Sequence, residues 1–146
     1  MSKGNTFEND FLALVFNNTD IADIGDAAGL QNSAAAGSLY VALHTADPGE
    51  AGNATTTEAA YGSYARQAVA RSGAGWTVAG NVASNAALIQ FPQCSSGSET
   101  LTHVSITVAV SGASKILWSG ALSAPLAVSS GIQPQFAIGA LTVTED

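Results

Sequence analysis

The apolar residues of this chain change their spacing once, after Ser38, and that change bounds the fold. Before it, Phe7, Phe11, Leu14 and Val15 fall at i, i+4, i+7 and i+8, the spacing of one helix face. After it, Leu39, Val41 and Leu43 alternate with Tyr40, Ala42 and His44, the period of a half-buried strand. Asp47-Pro48-Gly49 ends that strand, because Pro48 presets a turn φ and Gly49 accepts a positive one. The spacing therefore predicts one N-terminal helix followed by β structure.

The helix is expected over residues 7–17, with Thr6 as N-cap, Glu8 and Asp10 in the first turn, and Asn17-Asn18 as its stop. Leu12 and Phe16 widen its apolar stripe. Phe7, Phe11, Leu12 and Phe16 are thus candidate residues of a helix that docks on a neighbouring subunit; the plainer reading is a helix closing one end of a sheet core. A second, short helix is expected through Ile21, Ile24 and Ala28, ended by Gly29. Residues 31–38 read as a small-residue linker.

Beyond Ser38 the pattern is strand throughout: residues 63–71, 76–78, 86–91, 103–110, 115–122, 124–128 and 135–144, with a turn at Ala79-Gly-Asn81. Phe136 and Ile138 change phase to Leu141 and Val143, which predicts a β-bulge at Gly139. Short strands at this spacing give a mainly β fold: an antiparallel β-sandwich, jelly-roll-like or Ig-like, preceded by an N-terminal helix. The expected division is a helix and linker at residues 1–38 and a sandwich at residues 39–146, in one compact domain overall. Leu39, Val41, Leu43, Val104, Ile106, Val108, Ile116, Trp118, Phe136, Ile138, Leu141 and Val143 are its expected core.

Composition narrows the function. Of 146 residues only 10% are charged, against roughly 25% in an average soluble domain. A surface of Ser, Thr, Asn, Gln, Gly and Ala packs readily against other subunits, so a homo-oligomer is expected. The net charge is −7, with Lys3, Arg66, Arg71 and Lys115 as the cations. Four scattered cations cannot displace the counterions of a nucleic-acid backbone, so no direct nucleic-acid binding is expected. The acidic balance also opposes an anionic membrane, and Phe11–Phe16 is too short to span one. No apolar stretch of signal-peptide length follows Met1-Ser-Lys-Gly.

No catalytic pattern stands out. His44, His103 and Cys94 are far apart in sequence and read as structural, so no metal or other cofactor is expected. Asp47, Glu50 and Glu58 lie in a turn-rich segment and read as solvated loop acids, with Glu99 apart. No nucleophile elbow, phosphate loop or dinucleotide fingerprint is present. Tyr61, Tyr64 and Trp76 are candidate surface-recognition residues, since aromatic faces suit sugars and partner surfaces. Trp118, flanked by Ile116-Leu117, reads as core.

Four segments carry a further signal: Gly37-Ser-Leu-Tyr-Val-Ala-Leu-His-Thr-Ala-Asp-Pro-Gly-Glu-Ala-Gly52, Tyr61-Gly-Ser-Tyr-Ala-Arg-Gln-Ala-Val69, Gly75-Trp-Thr-Val-Ala-Gly-Asn81 and Ile138-Gly-Ala-Leu-Thr-Val-Thr-Glu-Asp146. Together they resemble a family of small bacteriophage virion proteins described as tail-fibre or tail proteins. The resemblance implies a non-enzymatic virion structural protein, tail- or tail-fibre-associated, made in the host cytoplasm and partnered by other virion proteins. Two alternatives stand beside it: a capsid decoration or collar protein, and a receptor-binding module that uses the aromatic residues on a host-surface glycan.

Overall fold

In a computed structural model, which describes residues 2–145, the chain is mainly β, with one N-terminal helix and antiparallel sheets, as the spacing predicts. The helix is α1 (Asn5–Asn17) and the strands are β1 (Ser38–His44), β2 (Gln67–Ala70), β3 (Trp76–Ala79), β4 (Val82–Asn85), β5 (Ile89–Gln90), β6 (Ser98–Thr107), β7 (Ile116–Ser129), β8 (Gln135–Phe136) and β9 (Thr142–Thr144). They form a four-stranded sheet in the order β2-β1-β6-β7, a three-stranded sheet β3-β4-β9 and a pair β5-β8. The chain divides into two compact units, each drawn from separated stretches. The first takes the residues up to Ser38, Val69–Leu88 and those from Phe136 on; the second takes Leu39–Ala68 and Ile89–Gln135.

In the first unit α1 begins earlier than expected. Gly4 is its N-cap and makes no side-chain capping bond, so Thr6 lies inside the helix. Asn18 ends it in the left-handed conformation (φ 57°), its N–H bonding to the Ala13 carbonyl. The buried face is Glu8, Leu12 and Phe16, one residue per turn, while Phe7 is 40% exposed and Phe11 half-buried. The apolar stripe did not show which of its sides would be covered. The last-turn carbonyls of Leu14 and Val15 accept hydrogen bonds from Arg71, at 2.6 and 2.7 Å. A guanidinium there completes orphan carbonyls and complements the helix dipole.

The expected second helix is absent. Ile21 and Leu30 form an antiparallel bridge, with N–H to O distances of 3.0 and 2.8 Å, around a turn-rich loop. Gly29 sits at φ 65°, where a Cβ would collide with the Ile21 carbonyl, so this glycine is fixed by close approach. β3 and β4 make a hairpin that pairs Trp76 with Asn85 and Ala79 with Val82, and β4 pairs on with β9.

Gly139, at φ 74°, interrupts the expected last strand instead of bulging it: β8 and β9 belong to different sheets. Asn85 holds the interruption. Its Nδ2 donates to the Ala87 and Ala137 carbonyls at 2.7 and 2.8 Å, and its Oδ1 accepts the Leu141 N–H at 2.9 Å. Ile138, in this break, is 71% exposed.

In the second unit β1 and β6 pair from Tyr40↔Thr107 to His44↔His103. Leu39, Val41, Leu43, Leu101, Val104 and Ile106 are buried there. Val108 is 47% exposed because β6 stops at Thr107 and the chain turns. β7 runs as one 14-residue strand where two were expected. It lies at the sheet edge, which leaves Ile116 and Trp118 only half-buried.

Candidate functional site

Buried Arg66 is the centre of a polar cluster in the second unit. Arg66 is 5% exposed. Its Nε and Nη2 donate to the two Glu58 oxygens at 2.6 and 2.8 Å, a bidentate fork. Its remaining donors reach the turn after β6: Nη1 to the Ala109 carbonyl at 3.0 Å and Ser114 Oγ at 3.2 Å, Nη2 to the Gly112 carbonyl at 2.9 Å. Glu58 also accepts the Tyr64 hydroxyl at 3.2 Å, and that hydroxyl accepts the Leu43 N–H at 2.9 Å. One carboxylate thus ties β1, the Tyr61–Arg66 segment and the turn after β6 together. The Glu58 hydrogen bond holds the guanidinium more firmly charged, and burial pushes the Tyr64 hydroxyl well above its ordinary range.

His44 lies beside this cluster and is fully buried. Its Nδ1 faces the Thr56 carbonyl at 2.9 Å, so Nδ1 carries the proton; Nε2 then accepts the Ser105 hydroxyl at 2.8 Å. Burial lowers its pKa, and the neutral ring is the form that belongs here. Ser105 and His44 have the atoms of a nucleophile and base, but both are sealed from solvent, leaving a substrate no approach. Register places His103 directly across from His44. Both His44 nitrogens are engaged, and among the described residues no group of three or more His, Cys, Asp or Glu converges to hold a metal.

Of the acids read as solvated, Asp47 and Glu50 are exposed, but Glu58 is half-buried in the fork with Arg66. Glu99 accepts the N–H groups of Ala60 and Tyr61, at 3.0 and 3.2 Å. Cys94 is buried.

The candidate recognition residues are inward-facing. Tyr61 is 4% exposed, donates to the Pro92 carbonyl at 3.0 Å, and stands edge-on to Tyr64 with ring centroids 5.3 Å apart. Tyr64 is half-buried and stacks on buried Phe91 at 6.2 Å. Burial raises the Tyr61 pKa to about 12. Trp76 belongs to the first unit, is fully buried, and meets Phe16 edge-on at 4.7 Å. Of the candidate docking residues, Leu12 and Phe16 are buried within that unit, while Phe7 is exposed and packs on Phe11 at 6.4 Å.

The segment Tyr61-x-x-Tyr64-x-Arg66 therefore supplies two rings and the guanidinium of the buried cluster. Its spacing was a signal of packing rather than of exposed recognition. A family model described as podophage GP4 fiber I protein gp80 matches residues 4–144. The chain belongs to this family. It is a phage fibre protein, which carries with it a structural role in the virion and contact with other virion proteins. No curated protein matches the sequence. Among the described residues, no helix is long and apolar enough to cross a membrane.

Proposed function

We propose that this fibre protein is a non-enzymatic, tail-associated subunit that works as a homo-oligomer, through packing surfaces and not through a reacting side chain. The observation that carries this reading is the commitment of the chemistry-bearing residues to the fold. Arg66, Glu58, Tyr64, His44 and Ser105 are spent on one another and on backbone, and Arg71 is spent on α1. What remains outside is mostly small polar and apolar residues, with exposed acids at Asp20, Asp23, Asp26, Asp47 and Glu50. Lys115 is exposed, while Lys3 pairs with Glu145 at 3.1 Å, which supports a partner set without nucleic acid. The inward packing of Tyr61 and Trp76 favours this subunit over a glycan-binding module.

Quantitative mass spectrometry of purified virions tests the reading. A copy number of a few to a few tens per particle, together with loss of the protein from tail-less particles, is the expected result. Absence from virions would overturn it, and hundreds of copies on tail-less heads would favour a capsid decoration protein.

A further inference from the structure

We infer that two copies of this chain join along β7, antiparallel, with Ser119 of one copy opposite Ser119 of the other. The inference rests on the homo-oligomeric reading above and names the surface that would carry it.

β7 is the outer strand of its sheet, and nine of its fourteen residues are exposed. Ser119, Gly120 and Ala121 are exposed in succession, so both faces of the strand are open at that point. A long open edge presents unpaired N–H and C=O groups, and soluble proteins blunt such edges with charges, prolines or bulges. The downstream half of β7 is blunted. Thr102 alone faces the four residues Leu122 to Pro125, a wide bulge that contains the only proline of the strand. The upstream half, Ile116–Ala121, is interrupted only by the single extra residue Leu117 and contains neither a charge nor a proline.

Charge and length select the occupant. Lys115 is the only Lys, Arg, Asp or Glu between Thr100 and Thr144, in a chain whose net charge is −7. The acidic side chains lie elsewhere in the chain, so none of them opposes contact along β7. The opposite edge of the sheet, β2, has four residues, too few to match β7, so pairing β2 to β7 would leave most of β7 uncovered. Pairing β7 with itself matches its length and closes on a two-fold axis. That axis requires a residue to face its own copy. With Ser119 on the axis, Trp118 faces Gly120, Leu117 faces Ala121 and Ile116 faces Leu122 of the second copy. Every pair is apolar or small, and Lys115 meets Ser123. At Gly120 nothing lies within 4 Å of where a Cβ would stand, which leaves room for an aromatic ring to lie over the glycine.

The full-length protein, compared with its Ser119→Lys and Ser119→Asp variants by sedimentation equilibrium, tests this. Like charges directly opposite across a ladder destabilise it and opposite charges restore it. The wild type is expected at twice the 14.6 kDa chain mass, each variant alone is expected to shift to the monomer mass, and an equimolar mixture is expected to regain a dimer containing one copy of each. The mixture separates lost pairing from lost folding. A wild-type oligomer that both substitutions leave intact would overturn the β7 pairing while the homo-oligomeric reading stands. A wild-type monomer would overturn the pairing as well, and the copy number on virions would then decide the broader reading by itself.

Discussion

The Leu141 N–H donates to Asn85 Oδ1 at 2.9 Å, and the Asn85 N–H donates back to the Leu141 carbonyl at 3.1 Å. The buried Asn85 side chain acts as one more rung of backbone where Gly139 breaks the strand. Replacing it with Leu leaves the buried Leu141 N–H without a partner, while the Ala137 carbonyl keeps the Ala140 N–H. Each buried orphan costs about 1–3 kcal/mol. Asn85→Leu is therefore expected to lower unfolding free energy by about 1–3 kcal/mol, read from urea denaturation. An unchanged midpoint would mean that water replaces the amide.

The Arg66–Glu58 fork should be costly to break from either side. The Arg66 side chain is 2% exposed, and removing one partner of a buried pair costs about 3–5 kcal/mol. Glu58 retains 17% exposure, so Glu58→Gln should fall below that range. A double-mutant cycle with Arg66→Met should show strong coupling. Additive losses would show that the two side chains act separately.

Stability should fall in acid through His44. Its pKa is lowered in the folded protein, chiefly by burial, with Arg66 and His103 acting the same way and Glu58 opposing. Above the unfolded value of 6.5 the ring is neutral in both states and nothing is lost. Below 6.5 the unfolded chain takes up the proton first, so stability declines as pH falls toward the folded value. Denaturation midpoints between pH about 7.5 and 5 should slope in the wild type and flatten in His44→Gln.

At the alkaline end Tyr61 acts in the same sense as pH rises. An unfolded tyrosine ionises near 10, whereas buried Tyr61 holds its proton to about 12. Its contribution is complete below 10 and is lost as pH climbs through that interval, with Tyr64 adding to it. Ultraviolet difference spectra should show tyrosinate appearing together with unfolding; ionisation without unfolding would contradict the burial.

Two neighbouring apolar residues of one alternating set should behave differently. Ile106 is 2% exposed and Val108 47%. Ile106→Ala should cost about 2–5 kcal/mol, whereas Val108→Ala should stay within about 0.5 kcal/mol. Comparable losses would place Val108 back in the core.

That last pair shows where reading the sequence succeeds and where it stops. Alternation located β1 and β6 and most of their buried residues, because a strand in a half-buried sheet must alternate. It could not see that β6 ends at Thr107, since Val108 and Val110 continue the same alternation into a turn. β4 was missed because Val82-Ala-Ser-Asn85 is small and polar, with its role set by partners on β3 and β9. The pattern could not say which of Phe7, Phe11, Leu12 and Phe16 would be buried, because all four are apolar and only tertiary packing chooses among them. Arg66, Glu58 and Asn85 gave no local sign, since the groups they bind lie as far as 56 residues away.

The first unit has a consequence for how the chain is made. Its helix leaves the ribosome long before β9, the partner of β4, which comes after every other strand among the described residues. At about 5–20 residues per second, the interval between them is on the order of ten seconds. Through that time Leu12, Phe16 and Trp76 can pack on one another, but Ala83 and Asn85 must wait for Val143 and Leu141. A nascent fibre subunit is thus held short of its final fold until β9 has emerged, and termination upstream of β9 yields a product whose first unit is unfinished.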